Sequence, residues 1–408
     1  MRSPVNCPAE GCFDNAAESR QQTVMKILIP CEPGLQERRV AMLPSQLARL
    51  KQLTGATIQV QSGAGRWLGL SDRDYQAAGA EVSDEIETLW READLVLSIG
   101  PWSSEESTPL GWLKAGACLI GLLDPWSQTA SLDRLAAQGV SALSLELIPR
   151  ISRAQAMDVL SSQASIIGYR SVLLGATALG RYLPMLTTAA GTIPPAKVMV
   201  LGAGVAGLQA IATARRLGAV VSAFDVRQSA AEEVQSLGAK FIEVDLSESA
   251  EAGGGYAKQL NEDSMVRLRA GLLPHLQQAD LIVTTAQVPG KPAPCLISAT
   301  MVAQLQPGTV IVDAAAERGG NCELTSPGRD VDIDGVKVLG PTAIAAGLPH
   351  DASFLFGRNL LALLPLICHE GQLQLPLEDE IIAGCCVVTA GARRFPPQPK
   401  PMPVPEAV

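Results

Sequence analysis

The stretch from position 197 to 227, KVMVLGAGVAGLQAIATARRLGAVVSAFDVR, constrains this chain more than any other. Residues 198–201 are a short apolar run of strand type, and Gly202-Ala203-Gly204-Val205-Ala206-Gly207 follows at once as G-x-G-x-x-G. A helical stretch over 208–217 ends at Gly218, and a second apolar run over 220–224 closes on Asp225. Strand, glycine turn, helix, strand and acid within about 30 residues make a βαβ unit of the dinucleotide-binding kind. Each glycine has a physical task. Gly202 permits the tight turn, Gly204 lets a pyrophosphate approach the backbone, and Gly207 lets helix and strand pack closely. The helix N-terminus then offers N–H groups and a positive dipole end to phosphate. Asp225 lies 23 positions after Gly202, near the ~20 expected of an acid that binds the adenosine ribose. An acid there disfavours a 2′-phosphate and so favours NAD(H). Arg227 two positions on is of the type that accepts such a phosphate, which leaves the alternative open.

The 408 residues allow two or three domains. Apolar residues at 47% and charged residues at 18% permit a large core. The net charge of −9 and the lack of a Lys/Arg cluster argue against nucleic acid and against an anionic lipid surface. Nine scattered cysteines without a C-x-x-C read as free thiols in a reducing compartment. Adjacent Cys385 and Cys386 are expected on opposite faces of a strand. The three histidines, His275, His350 and His369, have no metal spacing. No apolar run beyond the glycine strand and helix approaches the ~20 residues of a membrane span. Residues 1–24 lack the apolar core of a secretory signal and read either as a disordered extension or as an over-long start before Met25.

Along the chain, strands are expected at 26–30, 57–61, 93–99, 117–123 and 141–146, and helices at 44–53, 72–80 and 132–138. The alternation implies a parallel sheet covered on both faces, without a glycine fingerprint of its own. The polar segment 148–163 follows directly on a strand end, where α/β sheets place ligands; an ordinary capped helix start is the other reading of it. A mostly apolar helix over 164–183 leads to Pro194-Pro195 and the glycine strand. Beyond Asp225 come a helix at 229–237, a strand at 240–244, a mobile glycine loop at 249–258 and a helix at 265–278. Strands at 281–285, 309–313 and 336–340 complete the second sheet, a helix over 352–369 returns to the first domain, and a proline-rich tail follows 392.

Several motifs resemble the alanine dehydrogenase and nicotinamide nucleotide transhydrogenase family, and within it the NAD(H)-binding domain I of proton-translocating transhydrogenases. They are Pro149-Arg150-Ile151-Ser152-Arg153-Ala154-Gln155 running on through Asp158 to 161–164, the segment 194–198, Gly254-Gly255-Tyr256-Ala257-Lys258, the segment 289–294, and Gly319-Gly320-Asn321-Cys322-Glu323. The resemblance covers about 25 to 388. It implies an α/β fold of two Rossmann-like, doubly wound parallel-sheet domains separated by a cleft. The first comprises 25–163 with 352–391, and the NAD(H)-binding domain comprises 164–351.

The resemblance places the family's Arg-Gln-Asp-Ser loop on Arg150, Gln155, Asp158 and Ser161 as catalytic residues, with Ile151 and Ser152 also holding the nicotinamide end. It places the diphosphate turn on Ala203, Gly204 and Val205, and the adenosine ribose on Asp225, Val226 and Arg227. Gly255 and Tyr256 fall on a closing loop. Gln287 stands in the nucleotide wall where the family usually has Leu. The implied activity is hydride transfer between NADH and NADP⁺ held by a partner subunit, coupled to proton translocation. The implied assembly is a homodimer attached peripherally, from the cytoplasm, to membrane-spanning subunits. On the alanine dehydrogenase side, the positions that carry a substrate Lys and His are here Gly100 and Asp124. Neither supplies an acid/base at the reacting carbon, and Arg39, a substrate-carboxylate position there, reads as an ion-pair residue. An amino-acid dehydrogenase and a non-catalytic NAD(H) sensor remain the rival readings.

Overall fold

The computed structural model describes residues 24–34, 36–102, 109–244, 261–288, 290–369 and 371–396. The expected N-terminal extension (all but Val24), the glycine loop with Gly255 and Tyr256, and the tail beyond 396 lie outside the described residues.

The first half alternates strand and helix. In chain order come β1 (Lys26–Ile29), α1 (Pro44–Thr54), β2 (Thr57–Gln61), α2 (Asp72–Ala77), β3 (Glu81–Ser83) and α3 (Ile86–Glu92). They are followed by β4 (Leu95–Leu97), β5 (Cys118–Gly121), α4 (Thr129–Ala137) and β6 (Ser141–Ser144). A long helix, α5 (Val159–Ala178), and an outlying hairpin, β7 (Leu186–Thr188) and β8 (Gly191–Ile193), lead to the second half.

That half runs β9 (Lys197–Leu201), α6 (Val205–Arg216), β10 (Val220–Phe224), α7 (Ala230–Ser236), β11 (Lys240–Phe241) and α8 (Glu262–Leu276). Next are β12 (Leu281–Thr284), α9 (Ala299–Val302), β13 (Val310–Asp313), β14 (Asp330–Ile333) and β15 (Val336–Leu339). The chain then returns through α10 (Pro349–Leu363), a small hairpin of β16 (Cys368–His369) and β17 (Gln372–Leu373), α11 (Glu380–Cys385), β18 (Cys386–Thr389) and β19 (Ala392–Arg393).

Among the described residues these strands form an eight-stranded sheet, ordered β19-β18-β6-β5-β4-β1-β2-β3, and a seven-stranded sheet, ordered β11-β10-β9-β12-β13-β15-β14. Both are parallel apart from their margins: β18 runs antiparallel to both β6 and β19 in the first, and β14 runs antiparallel to β15 in the second. β4, β5, β12 and β13 are buried throughout, as strands covered on two faces must be. Alternation then divides the core. Val198 and Val200 of β9 pack into one layer, while Met199 and Leu201 pack into the other.

α5 joins the two halves. Val159 at its start is buried in the first sheet's core, and Val172 lies in the second sheet's core. Small residues let it approach its neighbour closely: a Cβ on Gly168 would stand 2.0 Å from the carbonyl oxygen of Ala206 in α6. α10 returns to the first half, with Phe356, Leu360 and Leu363 in that core.

Several expectations need correction. α5 begins at Val159, five positions before the expected start, because Asp158 caps it and accepts the Ser161 N–H at 2.9 Å. The segment 148–163 is therefore both a strand-end loop and a capped helix start. The strand expected at 240–244 keeps only Lys240–Phe241, and the helix expected at 352–369 runs Pro349–Leu363. Cys385 ends α11 and Cys386 begins β18, so they do not share a strand, and both pack into the same core layer. The start of the supposed tail is strand β19. Residues 81–92, strand β14 and the hairpins β7–β8, β16–β17 and β18–β19 are not foreseen by the sequence pattern. Their strands have four residues or fewer, too short for a periodicity to register.

Candidate functional site

Both sheets end toward a common cleft. The switch point of the second sheet lies between β9 and β12, where a doubly wound sheet opens its crevice. A cavity of about 630 Å³ sits there, lined by Gly202, Ala203, Gly204, Val205, Asp225, Val226, Arg227 and Gln287, among others. All eight were expected at a nucleotide site. A smaller cavity of about 280 Å³ is lined by Pro149, Arg150, Ile151, Ser152, Ala154, Gln155, Asp158 and Ser161. Arg150 lines both, so the loop and the glycine turn, about 50 positions apart, adjoin in space.

The glycine turn is built as its sequence requires. Gly202 has φ +97°, a conformation open mainly to glycine. A Cβ on Gly207 would lie 1.8 Å from the Gly202 carbonyl oxygen, so α6 could not sit against the turn with any side chain there. A Cβ on Gly204 would meet nothing within 4 Å; its open side faces the cavity. Gly204 is the N-cap of α6, which leaves the first N–H groups of that helix directed at the same space. A cavity of this size, with backbone donors at one wall and apolar Leu268 and Leu296 at the other, fits a dinucleotide.

Asp225 accepts the Ala203 N–H at 2.7 Å and is paired with the Arg227 Nε at 3.0 Å. Gln287 donates its amide to the Ala314 carbonyl at 3.2 Å and so ties the end of β12 to that of β13. Behind it lies a buried polar clip that sequence reasoning missed as a site component. Asn321 accepts the Ala286 N–H at 3.0 Å and donates to the carbonyls of Ala286 and Pro294, each at 2.8 Å. Buried Asp313 in turn accepts the N–H groups of Asn321 at 2.7 Å and Cys322 at 3.0 Å and the Thr325 hydroxyl at 2.6 Å. The Gly-Gly-Asn run was visible in the sequence, but nothing local revealed that its Asn folds back on the wall 35 residues earlier.

The Arg150–Ser161 loop is anchored from below. Arg153 forms a fork with Asp379 at 2.7 and 3.1 Å, and Asn359 donates to the Ala156 carbonyl at 2.8 Å. Ala154 and Met157 are buried, whereas Gln155 is exposed at the cavity rim. The Asp158 carboxylate also accepts the Ser161 hydroxyl at 2.6 Å. The turn of loop that carries Gln155 is thus fixed on three sides and open on the fourth.

Across the cleft, Arg318 reaches Asp124 at 3.2 Å. Arg39 is no surface charge: it is held by Glu37 at 2.6 Å and donates to Gln163 at 2.8 Å, with its side chain 11% exposed. Glu32, after β1, accepts the N–H groups of Ile99 at 2.7 Å and Gly100 at 3.2 Å, and burial pushes its carboxyl up to about 8. Burial likewise raises Glu146, which accepts the Asp124 N–H at 2.7 Å. Among the described residues no group of three His, Cys, Asp or Glu is placed to hold a metal, and no helix is long and apolar enough to cross a membrane. The described cysteines are free thiols.

Two doubly wound sheets facing a shared cleft, with a glycine turn at one switch point, define a pyridine-nucleotide-binding α/β protein. Residues 28–167 match the N-terminal domain and residues 171–396 the C-terminal domain of the family described as alanine dehydrogenase/PNT. The chain belongs to that family. It is 45% identical over 374 residues to an NAD(P) transhydrogenase subunit alpha polypeptide of Rhodospirillum rubrum, covering 90% of this chain and 97% of that one. It is 31% identical over 307 residues to alanine dehydrogenase of Mycolicibacterium smegmatis, covering 74% of this chain and 76% of that one. The solved transhydrogenase of Sinorhizobium meliloti superposes with a TM-score of 0.81 at 39% identity, over 90% of this chain and 99% of that one.

Proposed function

We propose that this chain is the NAD(H)-binding alpha subunit of a proton-translocating NAD(P) transhydrogenase. The observation that carries the reading is the pair of adjoining cavities: a dinucleotide groove that runs past Arg150 to an anchored loop whose Gln155 stays exposed. The nucleotide supplies the hydride. Both reacting atoms in such a transfer are nicotinamide carbons, so no protein group moves a proton at the reacting centre, and the protein's share is positioning and exclusion of water. Gly204 and Val205 would receive the diphosphate, and Asp225 with Val226 and Arg227 the adenosine ribose. Arg150, Ile151, Ser152, Gln155 and Asp158, the last steadied by Ser161, would hold the nicotinamide end.

NADP(H) sits on a partner in this reading. The second nucleotide meets the exposed rim at Gln155, and the proton path lies in membrane-spanning subunits to which a homodimer of this chain attaches peripherally from the cytoplasmic side of the inner (or thylakoid-type) membrane. Gly100 has no side chain to offer and the Asp124 carboxylate is tied to Arg318 at 3.2 Å, which disfavours the alanine dehydrogenase reading despite the shared fold.

The test mixes the purified chain with an isolated NADP(H)-binding transhydrogenase domain and follows hydride transfer from NADH to an NADP⁺ analogue. Gln155→Asn is expected to slow transfer about tenfold or more with NADH affinity nearly unchanged, as for a group that aligns rather than binds. Turnover of L-alanine with NAD⁺ would overturn the proposal in favour of a dehydrogenase. Absent transfer with both nucleotides bound would favour a sensor.

A further inference from the structure

The loop after β5 sends two side chains into the opposite half of the molecule, and its backbone is tied down first. The Asp124 carbonyl accepts the N–H groups of Ser127 at 3.0 Å and Gln128 at 2.9 Å. The Glu146 carboxylate accepts the N–H groups of Asp124 at 2.7 Å and Leu123 at 3.2 Å. Asp124 has φ +46°, a left-handed conformation uncommon outside glycine. Such a conformation persists only where its surroundings hold it. From this turn the Asp124 carboxylate meets Arg318 Nη2 at 3.2 Å. Two positions on, the half-buried Trp126 indole lies against Gly290. A Cβ on Gly290 would stand 2.4 Å from the indole Nε1, and φ there is +71°, so neither the space nor the backbone admits a side chain. Phe395 braces the indole edge-on, with ring centroids 5.7 Å apart.

Both contacts end on one wall of the dinucleotide cavity. The Arg318 carbonyl accepts the Ala293 N–H at 2.8 Å, and Val288, Lys291, Pro292 and Ala293 line the cavity on either side of Gly290. The Arg150–Ser161 loop, by contrast, follows β6 in the first half, while the glycine turn belongs to the second. A nucleotide held by both therefore depends on the register of the two halves across the cleft. We propose that Asp124 and Trp126 form a clasp that sets this register, and that Trp126 is a positioning residue for hydride transfer, acting through the wall at Gly290. The charge pair fixes one point of the wall and the indole a second, so the wall cannot pivot about either. This inference rests on the transhydrogenase reading and adds to it a contact that the nucleotide itself need not touch.

The full chain mixed with the NADP(H)-binding domain at saturating nucleotide gives the transfer rate, and calorimetric titration gives the NADH affinity. A misplacement of about 1 Å between reacting groups costs about a hundredfold in rate. Trp126→Ala is therefore expected to slow transfer about tenfold or more while NADH affinity falls by no more than about threefold. Trp126→Phe keeps a ring against Gly290 and should restore most of the rate. Gly290→Ala presses on the clasp from the other side and should reproduce the slow transfer, which serves in place of Trp126→Ala if that variant does not fold. Amide exchange at Ala293, followed by mass spectrometry without nucleotide, should quicken about tenfold in Trp126→Ala as the wall loosens. Exchange and transfer both unchanged in a folded Trp126→Ala overturn the clasp and leave the transhydrogenase reading standing. Transfer and affinity falling together overturn the positioning role. No transfer in the wild type overturns the transhydrogenase reading and the positioning role with it, while the exchange at Ala293 decides the clasp by itself.

Discussion

Asn321→Asp tests the buried clip behind the nucleotide wall with almost no change of shape. The wild-type amide accepts one backbone N–H and donates to two backbone carbonyls, and the residue is wholly buried. Aspartate can keep the accepted bond from Ala286. Both donated bonds are lost, at about 0.5–1.5 kcal/mol each, or roughly 1–3 kcal/mol together. If the new carboxyl ionises, its second oxygen faces the carbonyl oxygens of Ala286 and Pro294, and the Asp313 carboxylate already holds the residue's own N–H. That raises the expected loss near neutral pH to about 3–5 kcal/mol, the range for an uncompensated buried charge. The carboxyl's pKa in the fold must then exceed its unfolded value of about 3.9. A raised folded pKa confers stability that is full below the unfolded value and is lost as pH rises toward the folded one. The variant should therefore lie closest to wild type in acid and fall away toward neutrality. Urea-unfolding midpoints at pH 5 and pH 8, followed by tryptophan fluorescence, read this directly. NADH titration at pH 8 should show weaker binding, because Ala286 and Gln287 line the cavity. A variant as stable as wild type at both pH values would refute the clip.

Glu32 gives a second pH test. Burial raises its carboxyl from the ordinary 4.5 to about 8, so its contribution is full below about 4.5 and fades as pH rises through about 8. Wild-type thermal midpoints should decline across that window, and Glu32→Gln, which cannot ionise, should make the decline shallower, with Glu146 keeping its share; an unchanged slope contradicts the assignment. Gly168→Ala places a Cβ 2.0 Å from the Ala206 carbonyl oxygen. Overpacking of that kind costs about 1–3 kcal/mol, so its denaturant midpoint should drop, and a midpoint equal to wild type would show that α5 and α6 can separate freely.

The sequence displayed the second sheet's centre almost completely. Val220–Phe224 was placed residue for residue, because an apolar run bounded by Gly218 and Asp225 has few other ways to fold. Thr57–Gln61 was equally clear by alternation. The start of α5 was harder to see. Its first turn, Val159-Leu160-Ser161-Ser162, is half polar, and the signal was the cap at Asp158 with the acceptor three residues before Ser161. The outer strands β3, β14, β18 and β19 carry at most four residues each, too few for a periodicity to register, and β18 owes its place to β6, far back in the chain. At the site, residue types and glycine spacing pointed to the turn and to Asp225. They could not reveal that Arg227 folds back on Asp225 or that Asn321 clasps Ala286, since both depend on how separate loops meet.

The path of α5 bears on any attempt to divide this protein. The boundary between the two family regions, at residues 167 and 171, falls inside Val159–Ala178. A break there would cut one continuous helix and strip the N-terminal piece of the core residues Phe356, Leu360 and Leu363 and of β18, the strand that pairs with β6. The workable seams are between layers in space, and no single cut in the chain follows them.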